Sequence, residues 1–123
     1  MNTKLLGSFG EAKCAEYLRE KGYRILGMNY RTRLGEIDVI AADRRYIAFV
    51  EVKLRKNASF AQAREFVTPA KQRRVIAAAS EWLVLNPTDK QPRFDVAEVY
   101  APRGTGTKDI EILYWENAFS VDG

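Results

Sequence analysis

Apolar residues recur in two rhythms along this chain of 123 residues, one helical and one of strands. Leu5, Leu6, Phe9, Ala12, Ala15 and Leu18 share one face at helical spacing. The stretch 3–21 therefore reads as a helix, with Thr3 as N-cap and Gly22 where a C-cap glycine belongs. Gly7 and Gly10 either weaken its first turns or allow close backbone packing. Tyr23 to Tyr30 reads as a strand. Two apolar runs, IDVIA and YIAFVEV, then flank the polar turn Asp43-Arg44-Arg45, the pattern of a hairpin over about 36–42 and 46–54. Residues 55–67 show no clear period and read as a loop or an irregular helical segment.

Thr68-Pro69 opens a second helix, a capping hydroxyl followed by proline at the first helical position. Val75, Ile76, Ala79, Trp82 and Leu83 form its buried face, and Asn86-Pro87 ends it. Lys71 and Arg74, with Arg73 beside them, fall on the opposite side. Arg93 to Tyr100 and Ile110 to Trp115 read as two more strands, separated by the glycine-bearing loop PRGTGTKD. The element order is αβββαββ. A helix between the third and fourth strands is a crossover, so those two strands are parallel neighbours or near-neighbours, whereas the hairpin strands are antiparallel. The expected fold is α/β: a mixed β-sheet flanked by helices, in a single domain spanning 1–123.

Composition narrows the chemistry. Hydrophobic content of 46% and charged content of 29% are ordinary for a soluble globular chain. Nothing reads as a signal peptide or a bilayer span, so no membrane partner is expected. The one cysteine, Cys14, excludes an internal disulfide and suits a reducing cytoplasm. There is no histidine. That removes histidine general bases, Ser-His and Cys-His catalysis, and every imidazole zinc site. An enzyme on this chain must work with carboxylates, lysine, tyrosine, serine or a metal on oxygen ligands.

The net charge is +4, and its distribution says more than its size. Between Lys53 and Arg74 seven basic residues face one acid, Glu65, for a local +6. Arg24, Arg31 and Arg33 lead into the hairpin. Clustered positive charge beside acidic residues points to a polyanion partner, against the plainer reading of a solvated basic face.

The hairpin is unusual because Asp38, Glu51 and Lys53 interrupt its most hydrophobic segments. A charge in a strand that should be buried is costly unless paired or bound to a metal. Glu51 and Lys53, two apart, leave one face of their strand, together with Ile47 and Phe49. A turn near 43–45 brings Asp38 alongside Glu51. The two carboxylates and the Val52 carbonyl make a hard oxygen site suited to Mg2+ or Mn2+. Lys53 beside it would orient or deprotonate water and steady charge on a phosphate. Glu36 shares a face with Asp38 as an outer ligand or a solvated acid. The competing reading of the trio is a cross-strand salt-bridge cluster, of order 0.2–1 kcal/mol per pair.

Asp38, twelve intervening residues, then Glu51-x-Lys53 resembles the PD-(D/E)xK nuclease signature, and the element order resembles the restriction-endonuclease-like core. The chain is most similar to the YraN-like family of small bacterial proteins, which resemble archaeal Holliday-junction resolvases. The resemblance covers Gly10-Glu11, Ala15, Tyr17-Leu18, Gly22-Tyr23, Asn29-Tyr30-Arg31, GEIDVIA, FVEVKLR, Lys71 through Arg74 and Arg93-Phe94-Asp95-Val96. It implies that Asp38 and Glu51 are metal ligands, that Lys53 is the catalytic lysine, and that Glu11 is the extra first-helix acid of resolvase-like members. Ile37 stands where the signature has proline. Gln72-x-x-x-Ile76 lacks the tyrosine of recombination exonucleases, which disfavours a processive exonuclease.

Arg31, Arg33, Arg55, Lys56, Lys71, Arg73 and Arg74 are the candidate phosphate contacts. Asp95 reads as a structural anchor, Cys14 as packed, Trp82 as core. Three functions follow: an Mg2+- or Mn2+-dependent endonuclease acting on DNA, structure-specific or resolvase-like; a nucleic-acid-binding module without turnover; or an adaptor that docks a protein. A resolvase-like enzyme that cuts two strands symmetrically requires a twofold homodimer.

Overall fold

A computed structural model of the chain describes residues 3–55, 67–102 and 109–121. Seven elements follow in the expected order: α1 (Thr3–Glu20), β1 (Arg24–Arg31), β2 (Glu36–Ala42), β3 (Tyr46–Arg55), α2 (Pro69–Leu85), β4 (Gln91–Tyr100) and β5 (Glu111–Phe119). The strands form one sheet in the order β1-β2-β3-β4-β5. Only β3 and β4 are parallel, because α2 carries the chain back across the sheet between them. The other three pairs are antiparallel. This is the mixed, helix-flanked sheet of a restriction-endonuclease-like core.

Local chemistry sets the element ends. Gly22 takes φ +93, and Tyr23 N–H donates to Leu18 C=O (2.9 Å) while Gly22 N–H donates to Arg19 C=O (3.0 Å). That Schellman closure ends α1. The Asp43 carboxylate accepts from Arg45 and Tyr46 N–H at 2.9 and 2.8 Å, closing the β2–β3 turn. Thr68 Oγ1 accepts from Lys71 N–H at 3.1 Å, with Pro69 behind it, as the sequence predicts.

The helices lie on opposite faces of the sheet, each over its own core. On the α2 side Ile40, Ala42, Ile47, Phe49, Phe94 and Val96 pack beneath Val75, Ala78 and Ala79. Phe49 stacks on Phe94 and meets Trp82 edge-on, with centroids 5.7 and 5.9 Å apart. On the α1 side Val39, Ala41, Ala48, Val50 and Ala97 pack against Cys14 and Leu18.

Three expectations need correction. Ala12 is exposed, and the inward stripe of α1 runs through Glu11, Cys14, Ala15 and Leu18. Thr3 is itself the first residue of α1 rather than a cap outside it. The last strand continues past Trp115 to Phe119, because Asn117 adopts φ +53 and its N–H donates to Asp95 Oδ1 at 2.8 Å. A bulge opposite Phe94–Val96 then lets Phe119 return onto Phe94, at 5.3 Å between ring centroids. Lys56 and most of the 55–67 segment lie outside the described residues, as does the core of the PRGTGTKD loop.

Candidate active site

Strand pairing between β2 and β3 ends at Val39–Val50, although both strands run on past it. Side-chain alternation breaks at the same place: Ile37 joins Ile40 and Ala42 in the α2-side core, whereas Val39 belongs to the α1-side core. Asp38 sits at this break. Its carboxylate lies in the plane of the sheet, where Oδ2 accepts the Val52 N–H at 2.8 Å in place of a backbone carbonyl. The N–H and C=O of one strand residue point toward the same neighbour, so the Val52 carbonyl also points into the gap beside Asp38.

Glu51 is one residue before Val52 and leaves the sheet on the α2 side. It is only 5% exposed, yet two ammonium groups share its Oε1: Lys53 Nζ at 3.6 Å and Lys71 Nζ at 3.7 Å. Lys71 also reaches Glu36 Oε1 at 3.8 Å, and Arg31 Nε holds Glu36 Oε2 at 3.3 Å. From the other face, Glu11 on α1 approaches Asp38 and Glu36, 7% exposed and hydrogen-bonded to the Asn29 side chain. Asn29 itself takes φ +54 at the end of β1. The gap thus receives carboxylates from three elements and lysines from two.

The electrostatics follow from burial. Loss of water pushes the Glu51 carboxyl up to about 7, and the Asp38 charge adds to this while Lys71 and Lys53 pull it back. Burial likewise raises Glu11 to about 7, helped by Asp38 and Glu36 and opposed by Arg31. Asp38 is raised by burial first; the Val52 N–H, Lys71 and Lys53 counter it. The nearby lysines do not neutralise this much buried acid.

A hard cation fits this donor set. Glu51 Oε2 and Glu11 Oε1 are sealed from solvent with no hydrogen-bond partner, and orphaned buried carboxylate oxygens are costly. Among the described residues no three acidic or thiol side chains already converge as a metal cage. Asp38, Glu51 and the Val52 carbonyl nonetheless give the sparse, oxygen-only set that suits Mg2+ or Mn2+, which keeps several waters and takes one or two carboxylates.

The other predicted residues separate into groups. Lys71 is not on the outward side of α2, as its neighbours suggested. It is four residues before Val75, so the inward stripe of α2 begins with it, and that spacing was readable in the sequence. Arg33, Arg73 and Arg74 are exposed on the same end of the sheet. Arg55 differs from them: it is half-buried beside Tyr100, with Nε and Nη2 closed to solvent. Glu98, one strand over from Lys53, is wholly buried and accepts from Tyr100 OH and from Trp115 Nε1 at 2.7 Å. Asp95 is the structural anchor expected. It takes two bonds from Arg93 Nε (2.9 and 3.1 Å), one from Arg93 Nη2 (2.9 Å) and one from the Tyr114 hydroxyl (2.5 Å). Two cavities of about 380 and 530 Å3 open around Arg44 and Arg45, at the opposite end of the sheet, and hold none of the site residues.

A model of the uncharacterised protein family UPF0102 matches residues 10–99, a span that contains every one of these acidic and lysine groups. A UPF0102 protein of Lachnoclostridium phytofermentans is 46% identical over 125 residues, covering 100% of this chain and 99% of its own. One of Syntrophotalea carbinolica is 43% identical over 119 residues (96% and 94%), and one of Flavobacterium psychrophilum 39% over 114 (93% and 92%).

Proposed function

The chain belongs to the UPF0102 family, and from that premise we propose that it is a metal-dependent endonuclease that hydrolyses DNA phosphodiesters. The observation that carries the reading is the break at Asp38. There a carboxylate replaces a backbone acceptor, Glu51 keeps one sealed and unpaired oxygen, and two lysines converge on its other oxygen. In most proteins a buried carboxylate oxygen is paired, and a site made for a cation is one place where it is left open for the ion.

Asp38, Glu51 and the Val52 carbonyl would hold Mg2+ or Mn2+, with Glu11 closing the site from α1. Such an ion supplies Lewis-acid polarisation of a phosphoryl oxygen and a more acidic bound water. The residues of the chain supply the rest. The Lys53 ammonium is partly open to solvent, so it can orient the attacking water and take up charge developing on the phosphate. Lys71 favours the ionised form of Glu51 and holds its Oε1. Arg33, Arg73 and Arg74 grip backbone phosphates beside it, with Arg31 held against Glu36. The site lies at the carboxyl ends of the parallel strands β3 and β4, where open α/β sheets place their ligands. Symmetric cutting of both strands would require a twofold dimer. No helix of the described residues is long and apolar enough to cross a membrane, and the proposed setting is the reducing cytoplasm.

The test is cleavage of matched linear, flapped and four-way-junction DNAs with Mg2+ or Mn2+ against Ca2+ and EDTA, wild type beside Glu51→Gln and Lys53→Ala. Cutting by wild type alone supports the reading. No cutting, with DNA binding equal in all three proteins, rejects it in favour of a binding module without turnover.

A further inference from the structure

The β1–β2 turn carries an apolar side chain that the proposed chemistry does not use. Leu34 is 53% exposed at the tip of the turn 32–35. A single exposed leucine is unremarkable on most surfaces, but this one sits on a turn closed by its own hydrogen bonds. Thr32 Oγ1 accepts both the Leu34 N–H (2.9 Å) and the Gly35 N–H (3.2 Å), and Thr32 N–H donates to Gly35 C=O at 2.9 Å. Gly35 is pressed onto α2: a Cβ there would lie 2.3 Å from the Arg74 carbonyl oxygen and 3.0 Å from Arg74 Cβ. The turn is therefore packed directly against α2 at Arg74.

That contact also brings a basic stretch of α2 to the turn. Arg33 is the chain neighbour of Leu34, Arg74 begins against the turn, Arg73 is next along α2, and all three are exposed. Glu36, the acid of this rim, is occupied by Arg31 and Lys71. An apolar tip with an exposed arginine before it in the chain and two more on the turn of α2 that meets Gly35 is matched to a polyanion with an apolar interior, which is stacked nucleic acid. A protein partner for Leu34 would have to be acidic all around the contact.

Resting on the nuclease reading above, we infer that Leu34 is a wedge that enters a DNA base step a few nucleotides from the scissile phosphate. The preferred substrate is then DNA with a step that opens easily, as at a nick, mismatch or branch. Unstacking a step costs a few kcal/mol in sound duplex and less where stacking is already broken, so a wedge selects for such sites. Leu34 precedes Asp38 by four residues, roughly 10–13 Å along an extended chain. At ~3.4 Å per nucleotide this puts the opened step about three to four nucleotides from the cut.

The experiment uses DNAs with 2-aminopurine at successive positions of an intact duplex, a nicked duplex and a four-way junction. They are titrated in Ca2+ with wild type, Leu34→Ala and Leu34→Phe, and cleavage is mapped separately in Mg2+ and Mn2+. Wild type is expected to raise fluorescence about three to four nucleotides from the mapped cut, and to prefer nicked over intact duplex by roughly tenfold. Leu34→Ala loses both, while its salt-dependent binding to intact duplex persists, and Leu34→Phe restores them. Cleavage by wild type with Leu34→Ala indistinguishable in fluorescence and preference overturns the wedge and leaves the nuclease. A wedge signal without cleavage in either metal overturns the nuclease and leaves a DNA-deforming module. No binding to any DNA at low salt overturns both.

Discussion

Replacing Glu51 by glutamine should stabilise the metal-free protein at alkaline pH, although it removes the centre of the proposed site. The carboxyl is held at about 7 instead of 4.5, with burial as the main cause and Asp38 next. At ~1.4 kcal/mol per pH unit, keeping it ionised in the fold costs about 3 kcal/mol. The side chain is 6% exposed, so solvent screening takes little from that figure. The sign follows from linkage. A carboxyl whose folded pKa lies above its unfolded value contributes full stability below 4.5 and loses it as pH rises through about 7. In EDTA at pH 8, Glu51→Gln is therefore expected to be more stable than wild type by about 2–3 kcal/mol, a rise in Tm of roughly 5–15 °C for a chain of this length. At pH 4 the two proteins should nearly coincide. Mn2+ should then reverse the order at pH 8: at a thousandfold excess over Kd it adds about 4.1 kcal/mol to wild type and little to the variant. Denaturant melts at pH 4, 6 and 8, with EDTA and with Mn2+, give the whole pattern. A variant less stable than wild type at pH 8 in EDTA, or one stabilised equally by Mn2+, refutes the argument that Glu51 is a strained acid waiting for a cation.

Lys71→Ala should cut the rate of cleavage by roughly ten- to hundredfold with little change in KM, because it orders Glu51 rather than holding DNA. Arg73→Ala and Arg74→Ala should do the opposite, raising KM and each lowering the slope of log K against log salt by about 1; DNA titrations at several salt concentrations separate the two classes. Gly35→Ala should cost about 1–3 kcal/mol in denaturant melts, since its new methyl meets the Arg74 carbonyl and must push the turn off α2. Asp95→Ala should cost about 3–5 kcal/mol, because Arg93, Tyr114 and the Asn117 N–H all lose their acceptor; an unchanged midpoint would contradict its anchoring role. Cys14 should resist thiol reagents at pH 8 until the protein unfolds, being fully buried with its thiol pushed up to about 12.

What could be read from the chain depended on how local its cause was. Gly22, Asp43 and Thr68-Pro69 act within a few residues, and they ended or opened elements where the sequence placed them. The parallel β3–β4 pair followed from one crossover helix. Where the sequence misled, a distant partner decided. Ala12 is the smaller and more apolar of two adjacent residues, yet Glu11 is the one turned inward, where Asn29 of β1 meets it. β5 outran its apolar run because Asp95, on another strand, supplies an acceptor to Asn117. Lys71 looked outward only while charge was taken as a mark of the surface; the spacing to Val75 places it inward.

The position of Asp38 ties these observations together. Its carboxylate can take the Val52 N–H only where β2 and β3 have stopped pairing, and they stop pairing where side-chain alternation on β2 breaks. The same break gives Ile37 to the α2-side core, which leaves Asp38 neither face and so places it in the sheet plane. Ile37 pairs with Tyr30 within the β1–β2 ladder, where a proline would remove an N–H, and burial in the α2-side core holds the isoleucine there. The departure from the signature at this position therefore leaves the geometry of the acid intact. Cutting Ile37 back to alanine should release that anchor. The expected result is weaker Mn2+ stabilisation than in wild type, beyond the general loss of about 2–5 kcal/mol for a core truncation. Equal Mn2+ stabilisation in the two proteins would show that Asp38 is placed by its bond to Val52 alone.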